Sequence, residues 1–169
     1  GGIYDHIGGG FSRYTVDAEW LVPHFEKMLY DNGLFLGLLA EVYKETGNPL
    51  FRTRIMETAA WLKRDMSITH ADATGFASSL DADSLDVHGH SEEGAYYVWR
   101  DAEVDQVLGT DALLFKQAYD ITKGGNWEGV NIPNRLQRIA PLPRKDELIL
   151  AAAREKLRET RNARTMPGR

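Results

Sequence analysis

From His24 to Thr46 nothing breaks a helix except the isolated Gly33 and Gly37, and Gly47 closes the run. Phe25, Met28, Leu29, Phe35, Leu36, Leu39, Val42 and Tyr43 recur at helical spacing, while Leu34 and Leu38 make the middle apolar almost all round. A helix that is apolar on every side is buried on every side. The spacing therefore predicts a long helix, set up by Pro23, inside a multi-helix layer. Asn48-Pro49 makes a tight turn into a second helix from Pro49 to about Ser67. Phe51, Ile55, Thr58, Ala59, Leu62 and Met66 form its apolar stripe, and Arg52, Arg54, Glu57, Lys63 and Arg64 face away. So short a link makes the two helices antiparallel neighbours.

The remaining segments add small β elements to a mainly α chain. Residues 3–7 read as a helix end, Phe11–Val16 as extended, Asp17–Glu19 as a turn and Trp20–Val22 as a short return strand. Gly8-Gly9-Gly10 is not a phosphate loop, because no Gly-Lys-Ser/Thr follows and no strand precedes it. Gly75–Leu80 and Ala95–Trp99 predict one β-hairpin with a long polar tip, pairing Phe76 with Trp99 and bringing Asp81 beside Gly94. Helices are expected over Asp101–Leu108, from Thr110 or Asp111 to about Asp120, and from Arg144 to about Ala163, with 123–138 irregular.

With 43% hydrophobic and 27% charged residues, the chain has enough apolar surface to fold as a soluble domain and is not disordered. It has no apolar run long enough for a bilayer, so no membrane role is expected. Without cysteine, disulfides, thiolate nucleophiles and thioredoxin-type chemistry are excluded from this chain. No signal peptide is visible, which makes a cytoplasmic location the default, and the missing initiator Met suggests an excised fragment. Residues 1–134 carry 10 Lys/Arg against 21 Asp/Glu, a net −11, whereas 135–169 carry 10 against 4, a net +6. The acidic body argues against nucleic acid as a partner. The basic tail (Arg154, Lys156, Arg158, Arg161, Arg164, Arg169) reads as a solvated helix face near a C-terminus.

Arg13, Tyr14, Trp20, His24 and Glu26 crowd around a turn and an expected helix N-terminus. There a His and a carboxylate can serve as base and acid, or simply complement the helix dipole. Asp81, Asp83 and Glu93 gather at the mouth of the expected hairpin, where mutual repulsion raises one carboxyl and makes an acid/base pair. Asp81, Asp83 and Glu92 mimic calcium-loop positions, yet Leu85 and Asp86 stand where a ligand and the turn glycine belong, so an EF-hand is rejected. His88 and His90 read as loop residues, and no metal or other cofactor is assigned. Tyr14, Trp20, Tyr96, Tyr97, Trp99 and Trp127 lie near these acids in sequence; flat rings suit sugar faces as well as cores.

Several stretches carry a family resemblance: Gly1-Gly2-Ile3-Tyr4-Asp5, Gly8-Gly9-Gly10-Phe11, Arg13-Tyr14, Trp20, and the run from Val22-Pro23-His24-Phe25-Glu26-Lys27 to Asp31. Leu80–Ser84, Glu93-Gly94, Tyr97-Val98-Trp99, Gly125-Asn126 and Glu128-Gly129 extend it over nearly the whole chain. Together they resemble the YyaL/spermatogenesis-associated thioredoxin-like protein family. The resemblance implies a thioredoxin-like domain followed by an (α/α)6 toroid similar to N-acylglucosamine 2-epimerases and six-hairpin glycosidases. Residues 1–169 would then be a single fragment of that toroid, a partial ring of antiparallel helix hairpins with one or two small β-hairpins. Ser12 departs from the pattern, standing where the family usually shows His.

The expected function is sugar epimerisation, isomerisation or hydrolysis. His24, Glu26, Asp81, Asp83 and Glu93 are its acids and bases, and Arg13, Tyr14, Trp20, Tyr96 and Trp99 orient the substrate. The alternative is a non-catalytic helical scaffold that binds a sugar or a protein beside its thioredoxin-like domain. Expected partners are a sugar or sugar phosphate, that domain, and a second copy of the chain through helix faces the missing hairpins would cover.

Overall fold

The computed structural model describes residues 1–71 and 73–169. Helices α1 (Leu29–Thr46), α2 (Pro49–Trp61), α3 (Asp101–Leu108), α4 (Ala112–Tyr119) and α5 (Arg144–Arg161) are joined by short antiparallel strand pairs and long irregular connections. With 43% of residues helical, the fold is mixed rather than mainly α.

The first long helix starts five residues later than its periodicity suggests. Val16 N–H donates to the Val22 carbonyl (2.9 Å), His24 N–H to that of Tyr14 (3.0 Å) and Arg13 N–H to that of Glu26 (2.9 Å). Strand β1 (Lys27–Met28) then pairs antiparallel with β4 (Ser79–Leu80). Backbone groups committed to two pairings cannot also start a helix, and Phe25 sits at a positive φ of 22°. The buried Asn32 side chain fixes the first turn of α1, accepting from Phe11 N–H (2.8 Å) and donating to the carbonyls of Phe11 and Met28 (both 2.9 Å). At the other end Gly47 takes the left-handed conformation, and its N–H caps the Tyr43 carbonyl.

Helix α1 packs against α2 as an antiparallel neighbour, but it does not lie inside a layer. Leu34 is 74% and Leu38 58% exposed, and Asn32 is its buried residue. Its second apolar face therefore has no cover among the described residues. Helix α2 ends in a π-helical turn (Leu62–Met66) that drives Trp61 and Met66 into a small core with Ala77 and Leu80.

The long-tipped hairpin is replaced by separate pairings. β2 (Ser67–His70) pairs with β3 (Ala73–Phe76), β5 (Asp83–Leu85) with β6 (Ser91–Glu93), and Trp99 forms an isolated bridge with Asn131. Alternation shows that a segment is extended but does not choose its neighbour; the burial of Leu80 and Trp99 in two different cores does. Residues 3–7 hold an isolated Tyr4–Phe11 bridge between turns, not a helix end, and the Asp5 carboxylate accepts from the N–H groups of Ile7 (3.0 Å) and Gly8 (2.9 Å).

The principal core joins α3, α4 and α5 through Val104, Leu108, Phe115, Leu150 and Leu157, closed by Ile7 and Trp99. A second gathers Phe25, Tyr96, Tyr97 and Ile132 beneath the turns of residues 1–28. Among the described residues no helix is long and apolar enough to cross a membrane.

Candidate functional site

His24 lies on the short antiparallel run 22–26, opposite Tyr14, and the two rings stack with centroids 4.9 Å apart and planes 11° from parallel. Its Nδ1 is 2.9 Å from Glu93 Oε1, across side chains that are one third and nearly one half exposed. Glu93 ends β6, directly opposite Asp83 on β5. Directly paired residues share a face of the ladder, so His24, Glu93 and Asp83 form one exposed cluster. The loop between β5 and β6 is tied by Asp86, whose carboxylate accepts from the N–H groups of His90 (2.7 Å) and His88 (2.8 Å); these bonds, the one to His90 foremost, hold its carboxyl below the usual range. His88 and His90 thus belong to the turn, and among the described residues no group of three or more His, Asp or Glu has metal-holding geometry.

Arg13 pairs with Glu26 at 3.3 Å on the neighbouring edge of the same run. Glu26 is thereby occupied by a cation, while Asp83 carries no ion pair among the described residues. Asp81 begins the turn before β5: its N–H donates to the Gly168 carbonyl (2.8 Å) and its carboxylate accepts from Asp83 N–H (3.2 Å). Trp20 stands at the tip of the 14–24 loop, 60% exposed and at a φ of 63°. Non-glycine residues held at positive φ carry strain of about 1–3 kcal/mol, a condition that clusters at functional sites. Here Trp20 and Phe25 flank His24.

Tyr96 and Trp99 are placed differently from the other expected ring residues. Both are buried in the cores, Tyr96 at 6% and Trp99 at 1% exposure, each under an arginine. They support the site from below and do not reach its surface. Ser12 is also buried, beside a cavity of about 20 Å³ shared with Asp5, His6 and Tyr97, room for about one water.

The residues that hold this ground plan together are Asp5, Lys27 and Arg161. Asp5 Oδ2 lies 2.9 Å from Lys27 Nζ and 3.0 Å from Arg161, and the three side chains are 8%, 1% and 2% exposed. Arg161 is therefore no solvated tail residue. Burial opposes ionisation of Asp5, yet the adjacent Arg161 and Lys27 cations hold its carboxyl well below the usual range. Burial pulls Lys27 down to about 8 against the attraction of Asp5. Arg164 is likewise internal, donating to the carbonyls of Tyr96 (2.9 Å) and Val98 (2.7 Å) and pairing with Glu103. A periodic helix face in the tail does not reveal these contacts; the one sequence signal was a Lys on a segment expected to be buried, which must find a partner.

No family model matches the chain. It is 39% identical to human spermatogenesis-associated protein 20 over 137 residues, 75% of this chain, and 35% identical to the mouse protein over 145 residues. An uncharacterized protein of Caenorhabditis elegans is 38% identical over 125 residues. The chain spans 17–18% of the length of these curated relatives. Identities of this size over about three quarters of the chain support placing it in the spermatogenesis-associated protein 20 family.

Proposed function

We propose that the chain is part of an (α/α)6 toroid whose His24–Glu93–Asp83 cluster performs acid–base chemistry on a sugar, by epimerisation, isomerisation or hydrolysis. The observation that carries this reading is the 2.9 Å contact between His24 Nδ1 and Glu93. A carboxylate on one ring nitrogen fixes the imidazole's orientation and leaves Nε2, which has no partner among the described residues, to take or give a proton. Asp83, one strand away, supplies a second carboxyl. Epimerisation needs a base on one face of a carbon and an acid on the other; hydrolysis needs two carboxyls flanking one bond. Tyr14 on the imidazole and the exposed Trp20 ring offer flat surfaces of the kind sugars stack on. The antiparallel α1–α2 pair and the uncovered face of α1 fit one hairpin of a larger ring, with the thioredoxin-like domain as its neighbour.

The test uses the full-length protein and a panel of sugars and sugar phosphates. Removing a general acid or base costs about 10²–10⁴-fold in rate. His24→Ala, Glu93→Gln and Asp83→Ala are expected to lose turnover by that order while keeping their helical circular dichroism. A second reading, a non-catalytic scaffold, is favoured by the Arg13–Glu26 pair, which occupies one expected catalytic acid. Sugar binding without turnover, unchanged by Asp83→Ala, establishes the scaffold instead.

A further inference from the structure

A cleft of about 190 Å³ opens between α2 and α5, away from His24, over the Gly8-Gly9 turn. Arg64, Arg154 and Arg158 line it, with side chains 31%, 17% and 19% exposed. Each is braced by acceptors on one side. Arg64 Nε and Nη2 are held by Asp65 (2.9 and 2.7 Å), and Nη2 also reaches the Gly8 carbonyl (2.7 Å). Arg154 Nη1 donates to the Tyr119 hydroxyl (2.7 Å) and Nη2 lies 3.5 Å from Glu57. Arg158 Nε and Nη2 are held by Glu155. Arg64 Nη1, Arg154 Nε and Arg158 Nη1 keep N–H groups with no acceptor among the described residues.

Each acid nearby is already engaged by a cation. Glu57 is already shared between Arg54 (2.7 Å), Arg154 and the Tyr4 hydroxyl (2.6 Å), and Glu155 and Asp65 each serve one arginine. The cleft lining itself carries three arginines against two carboxylates, Glu57 and Glu155, while Asp65 pairs with Arg64 from outside it. His6 forms part of the wall; its Nε2 meets the Gly1 carbonyl at 3.3 Å and its Nδ1 is buried without a partner. Burial holds the ring neutral, so His6 adds no charge to the wall. A tetrahedral oxyanion offers acceptors for the free guanidinium N–H groups. At about 30 Å³ per water, the cleft has space for such an ion and part of its hydration shell.

We propose that this cleft is a phosphate site, held by Arg64, Arg154 and Arg158, for the free ion or the phosphoryl group of a larger ligand. It stands independently of the acid–base cluster, because it shares no residue with it.

The test is calorimetric titration of the full-length protein with inorganic phosphate at constant ionic strength. One saturable site with Kd of about 1 mM or tighter is expected. Arg64→Gln and Arg158→Gln, whose acid partners are local and leave the core intact, should each weaken it by about tenfold, and the double variant should abolish it. Arg100→Gln, outside the cleft, should leave it unchanged. Parallel titrations with a hexose phosphate and the unphosphorylated hexose separate the sources: a free-ion site prefers inorganic phosphate, a ligand site the hexose phosphate, and neither takes the plain sugar. Absence of saturable phosphate binding, or equal weakening by Arg100→Gln, overturns the proposal whatever the fate of sugar turnover.

Discussion

Asp5 is the meeting point of the buried charges. One oxygen takes Lys27 and Arg161, and the other accepts from two backbone N–H groups and from Arg161 Nη1 (3.0 Å). Removing one member of a buried ionic group leaves an uncompensated charge and costs about 3–5 kcal/mol. Asp5→Asn should therefore unfold at a much lower denaturant midpoint than the unaltered chain. The pH dependence has a definite sign. The folded carboxyl ionises below its unfolded value of about 3.9, so its contribution is complete above that value and is lost as pH falls toward the folded one. Denaturant midpoints followed down from about pH 5 should drop more steeply for the unaltered chain than for Asp5→Asn. Lys27 acts at the other end of the scale. Its folded value of about 8 lies below the unfolded one of roughly 10.4, so between them the unfolded chain binds more protons and stability rises with pH. Relative to Lys27→Met, the unaltered chain should gain stability across that window. Nearer the site, Gly94 sits at φ 75°, and a Cβ there would meet the Phe25 ring at 2.5 Å. Gly94→Ala should cost about 1–3 kcal/mol, and it should also loosen the adjacent Glu93–His24 contact, visible as altered His24 ring chemical shifts by NMR.

Helix α1 carries Gly33 and Gly37 one turn apart, with nothing within 4 Å of where either Cβ would stand. Glycine inside a helix is about 0.8–1 kcal/mol less favourable than alanine. In this chain alone Gly33→Ala and Gly37→Ala should each raise thermal stability by roughly that amount. In the full-length protein the sign should reverse if another helix crosses α1 closely there, and comparing melting temperatures of the two forms reads this directly. The elements most legible in the sequence were those whose ends carry local chemistry. Asn48 caps α2 through Leu50 N–H (3.0 Å), Gly109 and Asp120 close α3 and α4 at positive φ, and α5 begins at Arg144 as its apolar stripe indicates. Elements defined by distant partners were not legible. Lys27 and Met28 match helical spacing but are claimed by Leu80 and Ser79, 53 and 51 residues away in sequence, and Trp99 is claimed by Asn131, 32 residues away. The site divides in the same way. Tyr14, His24 and Glu93 do meet, because a local antiparallel run and a short hairpin carry them, whereas Asp5–Arg161 spans nearly the whole chain and has no local signature.

At the scale of the molecule, the uncovered face of α1 sets the behaviour of the chain in solution. Tyr30, Leu34 and Leu38 lie four residues apart and are 50%, 74% and 58% exposed, an apolar strip running along the helix. Gly33 and Gly37 lie along the same strip and allow another backbone to approach closely. Contiguous exposed apolar surface of this kind marks an interaction face. Two copies can satisfy it together, since a strip placed against itself about a two-fold axis buries identical residues on both sides. The 169-residue chain should therefore sediment as a dimer at micromolar concentration, in keeping with the pairing proposed from uncovered helix faces. Leu34→Glu combined with Leu38→Glu places like charges at the centre of that contact and should return a monomer. Neither side chain is buried within the chain, so thermal stability measured on the monomer should stay within about 0.5 kcal/mol of the unaltered value at matched dilution. A chain that sediments as a strict monomer before substitution would show that α1 needs no cover, and would also remove the uncovered face as support for a ring hairpin. A dimer that survives both glutamates would move the contact elsewhere, with the exposed β2–β3 hairpin and its Ile68 and Phe76 next in line.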